Sequence, residues 1–350
     1  MVSFTEKIIR EIDSEGMWDH LCSFPDHWNN AIKVTKTSNL NIDSDQFKNV
    51  LIAGMGGSAI GGDLIKAFAE DENQIPVYVN RHYKLPNWVD NKTLCIVSSY
   101  SGDTEETLQC FDEARSREAK IIGITSGGQL LDKVRKFGCD YVKMPERMSP
   151  RAALAYSFIP MYFIFQKAGL IEADEDQLKQ TAVFLGNQVD KFSNFIENEA
   201  LSLAFDIQDT LPIIYSDGGL MEPVNLRWRG QFEENAKTLA FGNLLPEMNH
   251  NEIVGWDQIA HLTGRLSVIM LSDKEDNPRV TQRMSITKDL ISEQANGCYV
   301  LKTQGDNKLS RLFSLIQFAD WTSIYLALIN RIDPTPTPKI DLLKRKLAEV

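Results

Sequence analysis

With 350 residues, 43% of them hydrophobic and 24% charged, the chain is long enough for two domains and has the proportions of a globular protein. Its formal net charge of −11 argues against nucleic acid and anionic membrane as partners, because both need clustered cations. The five cysteines (Cys22, Cys95, Cys110, Cys139, Cys298) are odd in number and form no CxxC, which disfavours a disulfide framework and a zinc site.

The opening Met1-Val2-Ser3-Phe4-Thr5-Glu6-Lys7 lacks the character of a signal peptide, and no apolar run is expected to approach membrane-spanning length, so a cytoplasmic location is expected. Residues 1–40 read as a helical arm, with Ile8, Ile9, Ile12, Leu21, Trp28 and Ile32 at amphipathic spacing around a break at Pro25. Residues 41–150 read as a first α/β domain. Strands are predicted at 50–53, 76–79, 94–97, 120–124 and 141–144, with helices at 58–69, 104–117 and 129–137. Residues 151–205 are helical by pattern and read as a bridge. A second domain, 206–330, opens with a strand from Leu211, a Ser/Gly turn at Ser216-Asp217-Gly218-Gly219 and a helix over 222–237; strands at 266–271 and 298–301 flank a helix near 278–294. Strand, turn and helix there repeat the plan at 50–69, which predicts two domains of one fold. Residues 331–350 form a proline-rich extended segment and a last helix from Ile340. The fold class is therefore α/β, with two doubly wound parallel-sheet domains, each an αβα sandwich.

Two turns carry the chemistry. Gly54-Met55-Gly56-Gly57-Ser58-Ala59 follows the first strand, and Ser98-Ser99-Tyr100-Ser101-Gly102-Asp103-Thr104 follows the third. Each lies at the carboxyl edge of the sheet and opens a helix, where free amides and a favourable dipole hold anions. Hydroxyls at Ser99, Ser101 and Thr104 around Gly102 can converge on one point, so the pair reads as a phosphate cradle without a lysine. A capping box at Ser101 or Asp103 accounts for one hydroxyl but not three. The first turn also fits a dinucleotide fingerprint, yet the second strand ends in Asn80-Arg81 rather than a ribose-binding acid; that counts against NAD and leaves NADP open.

The two serine turns resemble the sugar isomerase (SIS) domain. Ser149-Pro150-Arg151-Ala152-Ala153, Gln231-Phe232-Glu233-Glu234-Asn235-Ala236-Lys237 and Pro246-Glu247-Met248-Asn249-His250-Asn251-Glu252 narrow the likeness to the bifunctional phosphoglucose/phosphomannose isomerases, over nearly the whole chain. That resemblance implies tandem SIS domains in a homodimer, a phosphorylated hexose substrate, no metal and no organic cofactor. It implies that Gly57, Ser58, Ser99, Ser101 and Thr104 hold the phosphate, and that Glu234 moves a proton between C1 and C2. It further implies that His250 opens the ring from the partner subunit, that Arg151 steadies the enediolate, and that a C-terminal lysine completes the site. Lys344 is the first choice for that lysine, with Lys339 and Lys346 as rivals. The reaction expected is interconversion of glucose 6-phosphate, and mannose 6-phosphate, with fructose 6-phosphate through a cis-enediol. The chemistry fits, since removing a proton α to a carbonyl needs one placed carboxylate and a donor at the developing oxyanion. The alternative is a phosphosugar-binding regulator on the same scaffold without catalysis. An aminosugar-phosphate enzyme or an NADP oxidoreductase stands further off.

Overall fold

A computed structural model of the chain describes residues 6–44, 46–172, 174–257, 260–347 and 349; most of the opening segment read for a signal, Met1–Thr5, lies outside them. In chain order the elements begin with α1 (Glu6–Ile12), α2 (Met17–Cys22), α3 (Phe24–Thr37), β1 (Asn49–Ala53), α4 (Gly56–Ala69), β2 (Val77–Asn80) and β3 (Thr93–Ser98). There follow α5 (Glu105–Ser116), β4 (Lys120–Thr125), α6 (Gly128–Lys136), β5 (Asp140–Lys143), α7 (Leu154–Lys167), α8 (Glu175–Ser193), α9 (Glu199–Asp206) and β6 (Leu211–Asp217). The remainder comprises α10 (Glu222–Glu234), β7 (Phe241–Leu245), two 3-10 helices (Glu247–His250 and Glu252–Asp257), α11 (Ala260–Thr263), β8 (Leu266–Ser272), α12 (Pro278–Ile291), β9 (Gly297–Lys302), α13 (Lys308–Ile329) and α14 (Pro338–Leu347).

Two compact units divide the chain, with one boundary inside α8. The first comprises Ser23–Gly186 with Asp306–Ser310; the second comprises the residues through Cys22, Asn187–Gly305 and those from Arg311 onward.

The first unit holds a five-stranded parallel sheet of order β2-β1-β3-β4-β5. Its central strand, β3, is buried at every residue, as a parallel strand covered on both faces must be. Leu51, Ala53, Cys95, Val97, Phe111 and Val134 form the core on one side. On α4, a side chain at Gly61 would meet Ser157 of α7 at 2.2 Å, so the two helices touch backbone to side chain.

The second unit holds a four-stranded parallel sheet of order β7-β6-β8-β9, over a core that includes Tyr215, Met248, Val268, Met270 and Met284. Among its elements that were not predicted, two bear on the core and the sheet. β7 is an edge strand with Gly242-Asn243 at its middle and only Leu245 buried, so it has neither an apolar run nor clean alternation. The other is α13, 22 residues long and almost wholly buried, which corrects the expectation that no apolar segment approaches membrane-spanning length. It is a core helix. Trp321 packs edge-on against Trp18 with centroids 4.8 Å apart, Phe318 stacks on Trp228, and the Trp228 indole donates to the Leu315 carbonyl at 3.0 Å.

Candidate functional site

Register places the two predicted turns side by side. β1 pairs with β3 from Asn49↔Thr93 to Ala53↔Val97, so both strands end together and α4 and α5 start from the same sheet edge. The Ser58 hydroxyl accepts the Tyr100 amide at 3.0 Å and joins the first turn to the second. Ser99 Oγ lies 2.9 Å from Thr104 Oγ1 and accepts the Gly102 amide at 3.1 Å, while Ser101 Oγ accepts the Asp103 amide at 3.3 Å. Ser58 and Ser99 are buried, Thr104 and Gly57 half-buried, and Ser101 exposed. Gly102 has φ +77°, and a Cβ there would lie 1.9 Å from the Gly127 carbonyl oxygen, so no other residue fits the turn.

Arg151 belongs to the same cluster. A Cβ at Gly57 would approach the Pro150 carbonyl at 2.9 Å and the Arg151 amide at 3.1 Å, so the backbone entering α7 lies against the first turn. Tyr100 fixes that approach, because its hydroxyl donates to the Pro145 carbonyl at 2.9 Å and accepts the Met148 amide at 2.8 Å. Arg151 itself is buried. Gly57, Ser58, Ser99, Ser101, Thr104 and Arg151 are thus gathered in the first unit. Two supporting contacts escaped the sequence reading. Asp103 accepts the Gln129 amide at 3.0 Å, tying the second turn to the start of α6, and Ser126 donates to the Tyr100 carbonyl at 2.7 Å. Neither follows from local pattern, because the partners are 26 residues apart in sequence. Arg81, the residue that left NADP open, is ion-paired with Asp63.

The second unit carries Glu234, His250 and the lysines. Glu234 is the last residue of α10 and half-buried. Its helix is bolted to α13: Arg227 donates to Asp320 at 3.0 and 2.7 Å, Gln231 donates to Asp320 at 2.8 Å, and Asn235 donates to Ser323 at 2.9 Å. Lys237 donates to the Glu234 carbonyl and, at 3.0 Å, to that of Pro334, so it fixes the helix end to the proline segment. The neighbouring Glu233 carboxyl is pushed above the usual range by burial, with Glu234 adding to the rise and the Ala240 amide and Arg229 opposing it.

His250 ends the first 3-10 helix and is exposed. The loop beneath it is anchored by Glu252, which accepts from the Tyr215 hydroxyl and, at 2.7 Å, from Asn243. Burial and the Glu252 carboxylate together push the Tyr215 phenol far above its ordinary range. Lys339, Lys344 and Lys346 all lie exposed on α14.

The carboxyl edge of the second sheet sets acids beside the hydroxyls of Ser272 and Thr303. Asp217 ends β6, and Asp273 and Asp276 follow β8; Asp273 is held by Arg311 at 3.0 Å, and Asp276 accepts the Asp273 amide at 2.7 Å. Burial, reinforced by Asp217, pushes Asp276 up to about 6 against the pull of that amide. The folded value lies above the unfolded one, so the ionised form weakens the fold above pH 6, and the penalty vanishes once the carboxyl is protonated in both states. Asp276→Asn should therefore raise the thermal midpoint at pH 8 by ~2 °C and change it little near pH 4. Thermal unfolding followed by circular dichroism at both pH values checks the sign.

Comparison with known proteins bears on the fold and the family. The bacterial phospho-glucose isomerase C-terminal SIS domain matches residues 196–347. The bifunctional phosphoglucose/phosphomannose isomerase of Caldicellulosiruptor bescii is 43% identical over 337 residues, covering 95% of this chain and 99% of its own. The enzyme of the same name from Aquifex aeolicus is 32% identical, over 87% of this chain and 92% of its own. In fold, the C-terminal domain of glucosamine-fructose-6-phosphate aminotransferase from Francisella tularensis superposes with a TM-score of 0.70 at 15% identity, covering 91% of this chain and 98% of that one. Both parallel α/β sheets of the chain are thus those of SIS phosphosugar proteins, and the chain belongs to the bifunctional phosphoglucose/phosphomannose isomerase family.

Proposed function

We propose that this chain is an aldose-ketose isomerase that interconverts glucose 6-phosphate, and mannose 6-phosphate, with fructose 6-phosphate through a cis-enediol intermediate. The observation that carries the reading is the joined pair of serine turns at one sheet edge, in a chain of this family. Their hydroxyls and helix-start amides would hold the phosphate, supplying binding energy remote from the reacting carbons. Glu234 would take the C2 proton of the open-chain aldose and return it to C1. Arg151 would steady the negative oxygen of the enediolate, with Lys344 as a second cation. His250, delivered from the second copy in a homodimer, would open the ring. This chemistry calls only on acid-base groups, and the protein would act in the cytoplasm, in glycolysis and gluconeogenesis.

A coupled assay on fructose 6-phosphate, read in both aldose directions with chelator present, tests the reading. Product should form in both directions at undiminished rate. Replacing Ser99 and Ser101 together by alanine should raise KM by ~10-fold or more and lower kcat less, because a phosphate contact made equally in ground and transition states acts on binding. No aldose product from the unmodified protein, or an unchanged KM in the double variant, would defeat the assignment.

A further inference from the structure

Tyr100 is held at both of its backbone polar atoms. Its amide donates to Ser58 at 3.0 Å, and its carbonyl accepts the Ser126 amide at 3.1 Å and the Ser126 hydroxyl at 2.7 Å. The side chain therefore leaves from a fixed point between the two serine turns, and it is buried.

Its phenol ends in the connection from β5 to α7. There it donates to the Pro145 carbonyl at 2.9 Å and accepts the Met148 amide at 2.8 Å. A β-turn joins the carbonyl of its first residue directly to the amide of its fourth, so the phenolic oxygen is inserted into a turn over 145–148 and closes it. Arg147, the third residue of that turn, has φ +67°, a backbone that residues other than glycine seldom adopt and that persists where the surroundings impose it. The two phenol bonds flank Arg147 and supply such a restraint. Burial pushes the phenol above its ordinary value against the pull of the Met148 amide, so it keeps its proton and stays a donor.

Arg151 stands three residues beyond Met148, with little slack between. The Ala152 amide donates to the Ser149 carbonyl at 2.9 Å, and the Ala153 amide donates to the Pro150 carbonyl at 3.2 Å. The arginine backbone therefore inherits its place from the closed turn.

We propose that Tyr100 is a positioning residue for Arg151, its backbone serving the phosphate turns and its phenol serving the arginine. The inference rests on the isomerase reading above and divides that site's work. Binding and turnover draw on different atoms of one residue. Loss of the hydroxyl leaves the bond from the Tyr100 amide to Ser58 in place, so the phosphate keeps its cradle, whereas the 145–148 turn opens and Arg151 shifts from the enediolate oxygen.

The test compares the full-length protein with Tyr100→Phe, Arg151→Lys and the double variant. Tyr100→Phe should lower kcat by ~10–100-fold, the cost of misplacing a group by about 1 Å, and leave the Kd for fructose 6-phosphate by calorimetry within about threefold. If the phenol acts through the arginine, adding Tyr100→Phe to Arg151→Lys should lower kcat by less than about threefold more, whereas an independent structural role would repeat the full loss. Hydrogen exchange without substrate should quicken at the amides of 146–149 in Tyr100→Phe and stay unchanged at 99–104, where the fold is intact. A Kd that rises as kcat falls, multiplying losses in the double variant, or unchanged exchange at 146–149 would overturn the proposal. Normal turnover in Tyr100→Phe would defeat this inference alone, while no turnover in the unmodified protein would defeat the isomerase reading and this inference with it.

Discussion

Glu234→Gln should lower kcat for the fructose 6-phosphate reaction by ~10³-fold or more while leaving the dissociation constant for the phosphosugar within about threefold. The change swaps one side-chain oxygen for an amide and removes the only property the proposed role requires, the ability to take and return a proton. Phosphate binding is assigned to other residues, so affinity should survive. Stopped-flow or coupled rate measurement gives kcat, and calorimetric titration gives affinity. Retained turnover would remove Glu234 as the base. Parallel loss of both would point to damage at the helix end, which Lys237 and Asn235 secure. The adjacent Glu233, with its raised carboxyl, is the natural control: Glu233→Gln should retain most activity if the base is Glu234.

Arg227→Leu should destabilise the second unit by ~3–5 kcal/mol, the usual cost of stranding a buried charge. Arg227 and Asp320 are 5% and 1% exposed, and the pair is bidentate. Without the guanidinium, Asp320 keeps the Gln231 amide as a neutral donor, too little for a carboxylate that burial already pushes upward. A drop of ~10 °C in the thermal midpoint is expected for a unit of this size. The double replacement by leucine at both positions should lose less than the single one, because neither charge is then left alone. Urea unfolding of the single and double variants measures the coupling directly.

How much of this was legible in sequence follows the range of the forces involved. The strands at β1, β3, β4, β6 and β8 were readable because buried parallel strands write unbroken apolar runs, such as Leu94-Cys95-Ile96-Val97. The turns were readable because glycine and serine punctuate them. The helix α10 was predicted to run to Lys237, but it ends at Glu234, and Lys237 has φ +56°. Lysine rarely adopts that backbone, and the bond from its own ammonium to Pro334 across 97 residues gives no local sign. The same holds for β7, whose partner β6 imposes extended structure on a sequence with little preference for it. The candidate residues of the first unit could be named from motifs, whereas their fixtures, Asp103 on α6 and Tyr100 on the 145–148 loop, are tertiary facts.

The bond from the Tyr100 amide to Ser58 has a kinetic corollary. Two loops that hold each other before any ligand arrives need not be frozen by it, so the entropic toll of capture has already been met during folding. Encounter with a sugar phosphate should then follow a single bimolecular phase whose rate climbs linearly with concentration, free of the saturation that a slow rearrangement would impose.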